Sequence, residues 1–186
     1  MGKIIYVSGG ARSGKSGFAE EYIEERYSKK IYLATGIAFD DEMQDRITKH
    51  KRRRGKNWKT IENYKNIPTL LKGHIDGYDV ILLDCLTNMV TNYMILDNDR
   101  DWDNTSMMEI DKIKKFIINE VVAILDFVKE SPVDMVVVTN ELGMGLVPDN
   151  HLGRYFRDIA GKINQIVAKE ADEGYFVVSG IPMKLK

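Results

Sequence analysis

The chain predicts an α/β fold: a mostly parallel sheet in a three-layer arrangement, with helices on both faces. Three observations lead there. Apolar runs of strand length alternate with amphipathic stretches of helical length along the sequence. One run, Tyr78–Leu83 (YDVILL), is continuously apolar after its first residues, as in a strand buried on both faces. A glycine-rich turn, Gly9–Ser16 (GGARSGKS), follows the first apolar run and opens the first helical stretch. With 186 residues and no linker, repeat or low-complexity tract, residues 1–186 read as a single domain.

The elements follow in order. Lys3–Ser8 is a first strand, and Lys15–Arg26 a helix with Phe18, Tyr22 and Ile23 near one face. Lys30–Ala34 is a second strand. Asp40–Arg54 predicts a helix whose acidic start and basic end suit the helix dipole. Trp58–Ile61 reads as a short strand, Tyr78–Leu83 as a buried one, and Cys85–Asn92 as helix. Asp97–Asn104 is polar and turn-like. Ser106–Lys129 carries Ile110, Ile113, Ile117, Val121, Ile124 and Val128 at spacings of three and four, a long amphipathic helix. Pro132 bars helix and opens the strand Val133–Val138. Asn140–Asn150 is a glycine-bearing loop, Leu152–Ala171 a further helix and Tyr175–Ser179 a last strand.

Composition narrows the function classes. Charged residues make up 30% of the chain, yet the formal net charge is −1, which gives no overall drive toward nucleic acid or a membrane surface. The single cysteine, Cys85, excludes an intramolecular disulfide and fits a reducing compartment. No apolar stretch is long enough to span a bilayer, and the first residues are strand and glycine-rich turn rather than a signal peptide. A cytoplasmic location is the expectation.

Gly9–Ser16 has the pattern G-x4-G-K-S/T between a strand and a helix, the context in which it cradles phosphates. Backbone N–H groups of Gly9, Gly10, Ala11, Arg12, Ser13 and Gly14 point at phosphate oxygens, and the helix start adds its positive dipole end. Lys15 reaches the terminal phosphates and the Ser16 hydroxyl helps hold Mg²⁺. Asp84 ends the apolar run Val80–Leu83, where such proteins place a second group on the metal side; the alternative is an aspartate capping the helix that begins at Cys85. Thr35-Gly36, after the second strand, either lets a nucleotide approach the backbone or is a plain strand-ending turn.

His50 heads HKRRRGK, in which Lys51, Arg52, Arg53, Arg54 and Lys56 are basic. Three readings stand side by side. The run is a solvated helix end, or a nucleic-acid patch, or a histidine nucleophile beside cations that neutralise a polyphosphate. An imidazole of ordinary pKa, about 6.5, is largely unprotonated near neutrality and can attack. His74 and His151 are isolated and make no metal site. TNELGMGLVP (Thr139–Pro148), with Glu141, Gly143 and Gly145, reads as a functional loop at the same edge of the sheet or as a simple connection with turn glycines.

Taken together, GGARSGKS, YLATG (Tyr32–Gly36), DDEMQDRITKHK (Asp40–Lys51), ILLDCLTNMVTN (Ile81–Asn92), TNELGMGLVP, FRDIAGKINQ (Phe156–Gln165) and VVSGIPMKLK (Val177–Lys186) resemble a known family end to end. It is the bifunctional adenosylcobinamide kinase/adenosylcobinamide-phosphate guanylyltransferase family of cobalamin synthesis. The resemblance implies a RecA-like P-loop domain, assembly as a homo-oligomer, typically a trimer, and no nucleic-acid partner. It implies phosphorylation of adenosylcobinamide by ATP or GTP with Mg²⁺, then transfer of GMP from GTP through a GMP–histidine intermediate. Only His50 occupies the place of the family's histidine. By the same resemblance the nucleotide site takes in Ala34, Thr35, Gly36, Lys51, Arg52, Arg53, Arg54, Glu62 and Asp84, with Ser16 and Asp84 on the metal and Glu62 or Asp84 reading guanine. Two features depart from the family pattern: the triple arginine is denser in charge, and Asp84 stands where relatives can carry glutamate. Two rival readings are a single-function P-loop kinase of a small metabolite and a RecA-type ATPase acting on nucleic acid.

Overall fold

The computed structural model describes residues 1–37, 57–97 and 100–186. Its strands are β1 (Ile4–Gly9), β2 (Lys30–Ala34), β3 (Trp58–Glu62), β4 (Val80–Asp84), β5 (Asp134–Asn140), β6 (Glu173–Val178) and β7 (Ile181–Lys184). They form one seven-stranded sheet in the order β3-β2-β4-β5-β1-β6-β7. Every pairing is parallel except β6 with the edge strand β7. The helices are α1 (Lys15–Glu24), α2 (Ile67–Lys72), α3 (Leu86–Thr91), α4 (Met107–Glu130) and α5 (His151–Glu170), and a π-helical turn, Asn92–Leu96, extends α3. The expected helix over Asp40–Arg54 lies outside the described residues.

Side chains of each strand alternate between two cores. On one face Ile4, Tyr6, Ile31, Leu33, Ile81, Leu83, Met135 and Val137 meet the apolar stripes of α2 to α5. On the other, Ile5, Val7, Tyr32, Val80, Leu82, Val136 and Val138 meet Ala19, Tyr22 and Ile23 of α1. Burial on both faces is why β1 and β4 read as continuous apolar runs. Helix α4 starts in a capping box, Ser106 and Glu109 each bonding the other's backbone N–H. Helix α5 starts on Asn150, whose side chain accepts from the Gly153 N–H at 2.7 Å.

Two elements lie outside the sequence reading. Helix α2 has Pro68 in its first turn and is only six residues long, too short for a periodic signal. Strand β7 contains Pro182, which demotes a strand on sequence grounds; at the sheet's edge a missing N–H is tolerated.

At the amino edge, Glu24 of α1 accepts from the buried Lys30 ammonium and, at 2.6 Å, from the Trp58 indole N–H. Burial pushes the Glu24 carboxyl up, and the bonds from Lys30 and Trp58 outweigh it, so its pKa lies below the usual range. This cluster fixes the start of β3 beside β2. At the carboxyl edge, the fully buried Thr139 hydroxyl donates to Asn164 Oδ1 at 2.8 Å, and Asn164 Nδ2 donates to the Asn140 carbonyl at 3.0 Å. Asn164 thus ties α5 to the end of β5. Asn164→Ala takes this partner from the buried Thr139 hydroxyl and the part-buried Asn140 carbonyl, so stability should fall by about 2 kcal/mol. Urea unfolding should show a lower midpoint at an unchanged slope.

Candidate nucleotide site

Parallel strands place their carboxyl ends at one edge, where ligands of such sheets bind. Gly9–Ser16 leaves the end of β1 at that edge and enters α1. Gly14, the residue before α1, has φ 93°, a left-handed conformation that a Cβ would strain. No side chain caps α1 and no acidic residue occupies its first turn, so its leading N–H groups and dipole face the loop. The Ser13 N–H donates to the Gly10 carbonyl at 3.2 Å and closes the turn. Lys15 is buried, its ammonium donating to the Gly10 carbonyl at 3.1 Å across the loop. Ala11 and Arg12 form the exposed tip, Arg12 with φ 57°. The buried Ser13 hydroxyl packs beneath the loop against Gly9, where a Cβ would come within 2.5 Å of it.

Asp84 ends β4 two strands away, and its carboxylate is held at both oxygens. The Ser16 hydroxyl donates to Oδ1 at 3.4 Å and the Tyr32 phenol to Oδ2 at 2.9 Å. It does not cap the following helix: Cys85 is the residue before α3, with no side-chain cap. Ser16 and Asp84 bring a hydroxyl and a carboxylate together at the loop, hard oxygen donors of the kind Mg²⁺ takes alongside phosphate and water. Among the described residues no group of three His, Cys, Asp or Glu side chains gathers to form a closed metal cage. Burial, and then the Asp84 charge, push the Cys85 thiol up to about 11, so it stays a neutral packing group.

Ala34 pairs with Asp84 on one side and Glu62 on the other, so the three lie in one row across β4, β2 and β3. Glu62 is exposed on that row's outer strand. Thr35 is buried and its hydroxyl is committed, donating to the Cys85 carbonyl at 2.6 Å, while its own carbonyl accepts from Asn92 Nδ2 at 2.6 Å. Thr35 therefore shapes the turn through structure, and Gly36 follows it at the surface. His50, Lys51, Arg52, Arg53 and Arg54 lie outside the described residues.

The loop after β5 joins the same edge. The Glu141 N–H donates to the Gly9 carbonyl at 3.0 Å, and the Glu141 carboxylate accepts from the Gly143 N–H. Tyr32 and Asn92 support the site through bonds to Asp84 and to the Thr35 carbonyl, and neither has a local motif of its own. Each lies inside a segment that carried the family resemblance, YLATG or ILLDCLTNMVTN, which was the available signal.

A family model described as CobU, cobinamide kinase / cobinamide phosphate guanyltransferase, matches residues 5–185. The chain is 43% identical over 187 residues to the bifunctional adenosylcobalamin biosynthesis protein CobU of Salmonella typhimurium, covering 98% of this chain and 99% of that one. The protein of the same description from Escherichia coli is 42% identical at the same coverage. The bifunctional adenosylcobalamin biosynthesis protein CobP of Pseudomonas aeruginosa is 34% identical, covering 97% of this chain and 95% of that one. Among solved structures, a prototypical ATPase from the type III secretion system of pathogenic bacteria superposes with a TM-score of 0.60 at 11% identity. That likeness covers 99% of this chain and 57% of the ATPase chain, and it concerns the fold, a RecA-like α/β P-loop domain. With the phosphate loop, its partner aspartate and the Glu141 loop at one edge, and with relatives matched along nearly their whole length, the chain belongs to the cobinamide kinase/cobinamide phosphate guanyltransferase family.

Proposed function

We propose that this protein is a bifunctional enzyme of cobalamin biosynthesis that runs two reactions from one phosphate loop. The first phosphorylates adenosylcobinamide with ATP or GTP. The second moves GMP from GTP onto the resulting phosphate, giving adenosylcobinamide-GDP and pyrophosphate. The observation that carries this reading is the meeting of Lys15, Ser16 and Asp84 at the head of the loop, in a chain matched end to end by relatives named as bifunctional.

In the kinase step, the acceptor hydroxyl oxygen attacks the γ-phosphorus, the bond to the β-phosphate oxygen breaks, and the hydroxyl proton passes to solvent. Loop N–H groups and Lys15 stabilise charge on the transferring phosphate. Ser16 and Asp84 are the residues that would hold Mg²⁺, which would supply charge neutralisation on the phosphates.

In the guanylyl step, an imidazole nitrogen of His50 attacks the α-phosphorus of GTP. A P–N bond forms, pyrophosphate leaves, and the imidazole gives up a proton. The acceptor phosphate oxygen then attacks that phosphorus, the P–N bond breaks, and the leaving imidazole takes a proton back from solvent, which regenerates the histidine. Dividing one displacement into two lowers each barrier. The chain between β2 and β3 that carries His50 departs from the carboxyl edge just after Ala34, the neighbour of Asp84, which supports this assignment. Lys51 to Arg54 neutralise the polyphosphate, and Glu62 or Asp84 accepts from guanine N–H donors. Exposed apolar side chains at Met144, Leu146 and Val147 and along β7 at Ile181 and Met183 support assembly as a homo-oligomer, read as a trimer. Among the described residues no helix is long and apolar enough to cross a membrane, and we place the enzyme in the cytoplasm.

Incubation with Mg²⁺ and GTP labelled at the α-phosphate should give an acid-labile, alkali-stable covalent label on the wild type and none on His50→Ala. A label that survives the substitution moves the nucleophile elsewhere. No label, together with turnover of another alcohol, favours a single-function kinase, whereas nucleic acid that stimulates hydrolysis favours a RecA-type ATPase. Lys15→Ala should depress phosphorylation and guanylyl transfer together; guanylyl transfer at the wild-type rate would separate the two sites. Tyr32→Phe removes one of the bonds that orient Asp84. It should raise the Mg²⁺ needed for half-maximal nucleotide binding by about ten-fold, the worth of one hydrogen bond to a charged group, as read by calorimetric titration.

A further inference from the structure

The C-terminal segment VVSGIPMKLK takes no part in the chemistry above, yet its turn packs against the phosphate loop. Only Ser179 and Gly180 connect β6 to β7, with φ 51° and 82°. Two successive positive φ values identify the tight hairpin turn that joins twisted strands. The Gly180 N–H donates to the Ser13 carbonyl at 2.7 Å. A Cβ on Gly14 would come within 3.0 Å of Gly180 Cα, and one on Gly9 within 2.5 Å of the Val177 carbonyl oxygen. The first and last glycines of the loop are therefore both seated on this hairpin.

The Ser13 carbonyl and the Gly14 N–H belong to one planar trans peptide unit and point in opposite directions. Whatever holds the carbonyl outward turns the N–H inward. We propose that the β6–β7 turn is a positioning element for the phosphate loop: the Gly180 N–H pins the Ser13 carbonyl and so aims the Gly14 N–H at bound phosphate. The arrangement is separable from the core, because all four residues of β7 are exposed. A Cβ at Gly180 meets nothing within 4 Å, so substitution there acts through backbone conformation alone. The inference rests on the phosphate-binding role of Gly9–Ser16 and on no other part of the proposed function.

The test compares Gly180→Val, Gly180→Ala and Gly180→Asn in the full chain, titrated with inorganic pyrophosphate and with GTP. Asparagine tolerates a positive φ, alanine less so, and a β-branched residue least. The expected result is a ranked loss of affinity for both probes. Gly180→Asn should stay near wild type and Gly180→Val should fall by about ten-fold or more, the effect of one misdirected charge-assisted hydrogen bond. The Gly14 amide resonance should shift on pyrophosphate binding in the wild type and in Gly180→Asn but not in Gly180→Val. If the valine variant does not fold, Gly180→Ala supplies the same comparison with a smaller loss. Wild-type affinity in a variant whose backbone amide at position 180 exchanges freely with solvent would overturn the proposal, as would equal losses in Gly180→Asn and Gly180→Val. Intact pyrophosphate binding without cobinamide chemistry would count against the two-reaction reading and leave this one standing.

Discussion

Strand β1 is paired in parallel on both sides, to β5 and to β6, and the geometry of the carboxyl edge follows from that placement. A strand at this position has apolar residues on both faces and no free backbone edge. Its chain must leave the sheet at Gly9, and the ends of β5 and β6 arrive beside it at the same level. Glu141 bonds the Gly9 carbonyl from one side and the β6–β7 turn reaches Ser13 from the other. The phosphate loop is thus held between the two neighbours of its own strand. Such bracing suits a loop whose task is to present N–H groups without reorganising when charge develops.

The same edge concentrates the buried polar groups that the apolar cores exclude. Thr139, Asn164 and Asn140 form one set; Thr35, Cys85 and Asn92 form another. Burying such groups is costly unless each finds a partner, and these partners are specific atoms on different elements. The outcome is a rigid rim. Thr35 illustrates the division of labour: its hydroxyl is used within the fold, so its neighbours Ala34 and Gly36 are left to define the shape presented to a ligand.

On the proposed reading, one loop serves two transfers. In phosphorylation the loop stabilises a γ-phosphate in flight; in guanylyl transfer it cradles the pyrophosphate that leaves. Both demands are met by N–H groups and Lys15 aimed at the β- and γ-positions, and neither needs a second phosphate site. Asp84, held at both oxygens by Ser16 and Tyr32, supplies a fixed carboxylate for either reaction. The Tyr32 phenol is the group that keeps it directed toward Ser16.

The alternation of strand and helix, the phosphate loop and the aspartate after a buried strand were all legible in the residues, because each is a local pattern: hydrophobic period, glycine spacing, an acidic residue at a run's end. Strand β7 was hidden because Pro182 speaks against a strand everywhere except at an edge, and being an edge is a property of the finished sheet. Helix α2 was hidden by its length. Strand order was not legible at all, and with it went the register that sets Ala34 level with Asp84 and Glu62. Tyr32 gave no sign of its bond to Asp84, 52 residues away in sequence, nor Gly180 of its bond to Ser13. The amino-acid sequence by itself determined which segments fold locally and that a phosphate loop is present. Which groups support that loop was decided by tertiary structure alone, because hydrogen bonds between distant residues depend on strand order and register, and no local pattern encodes either.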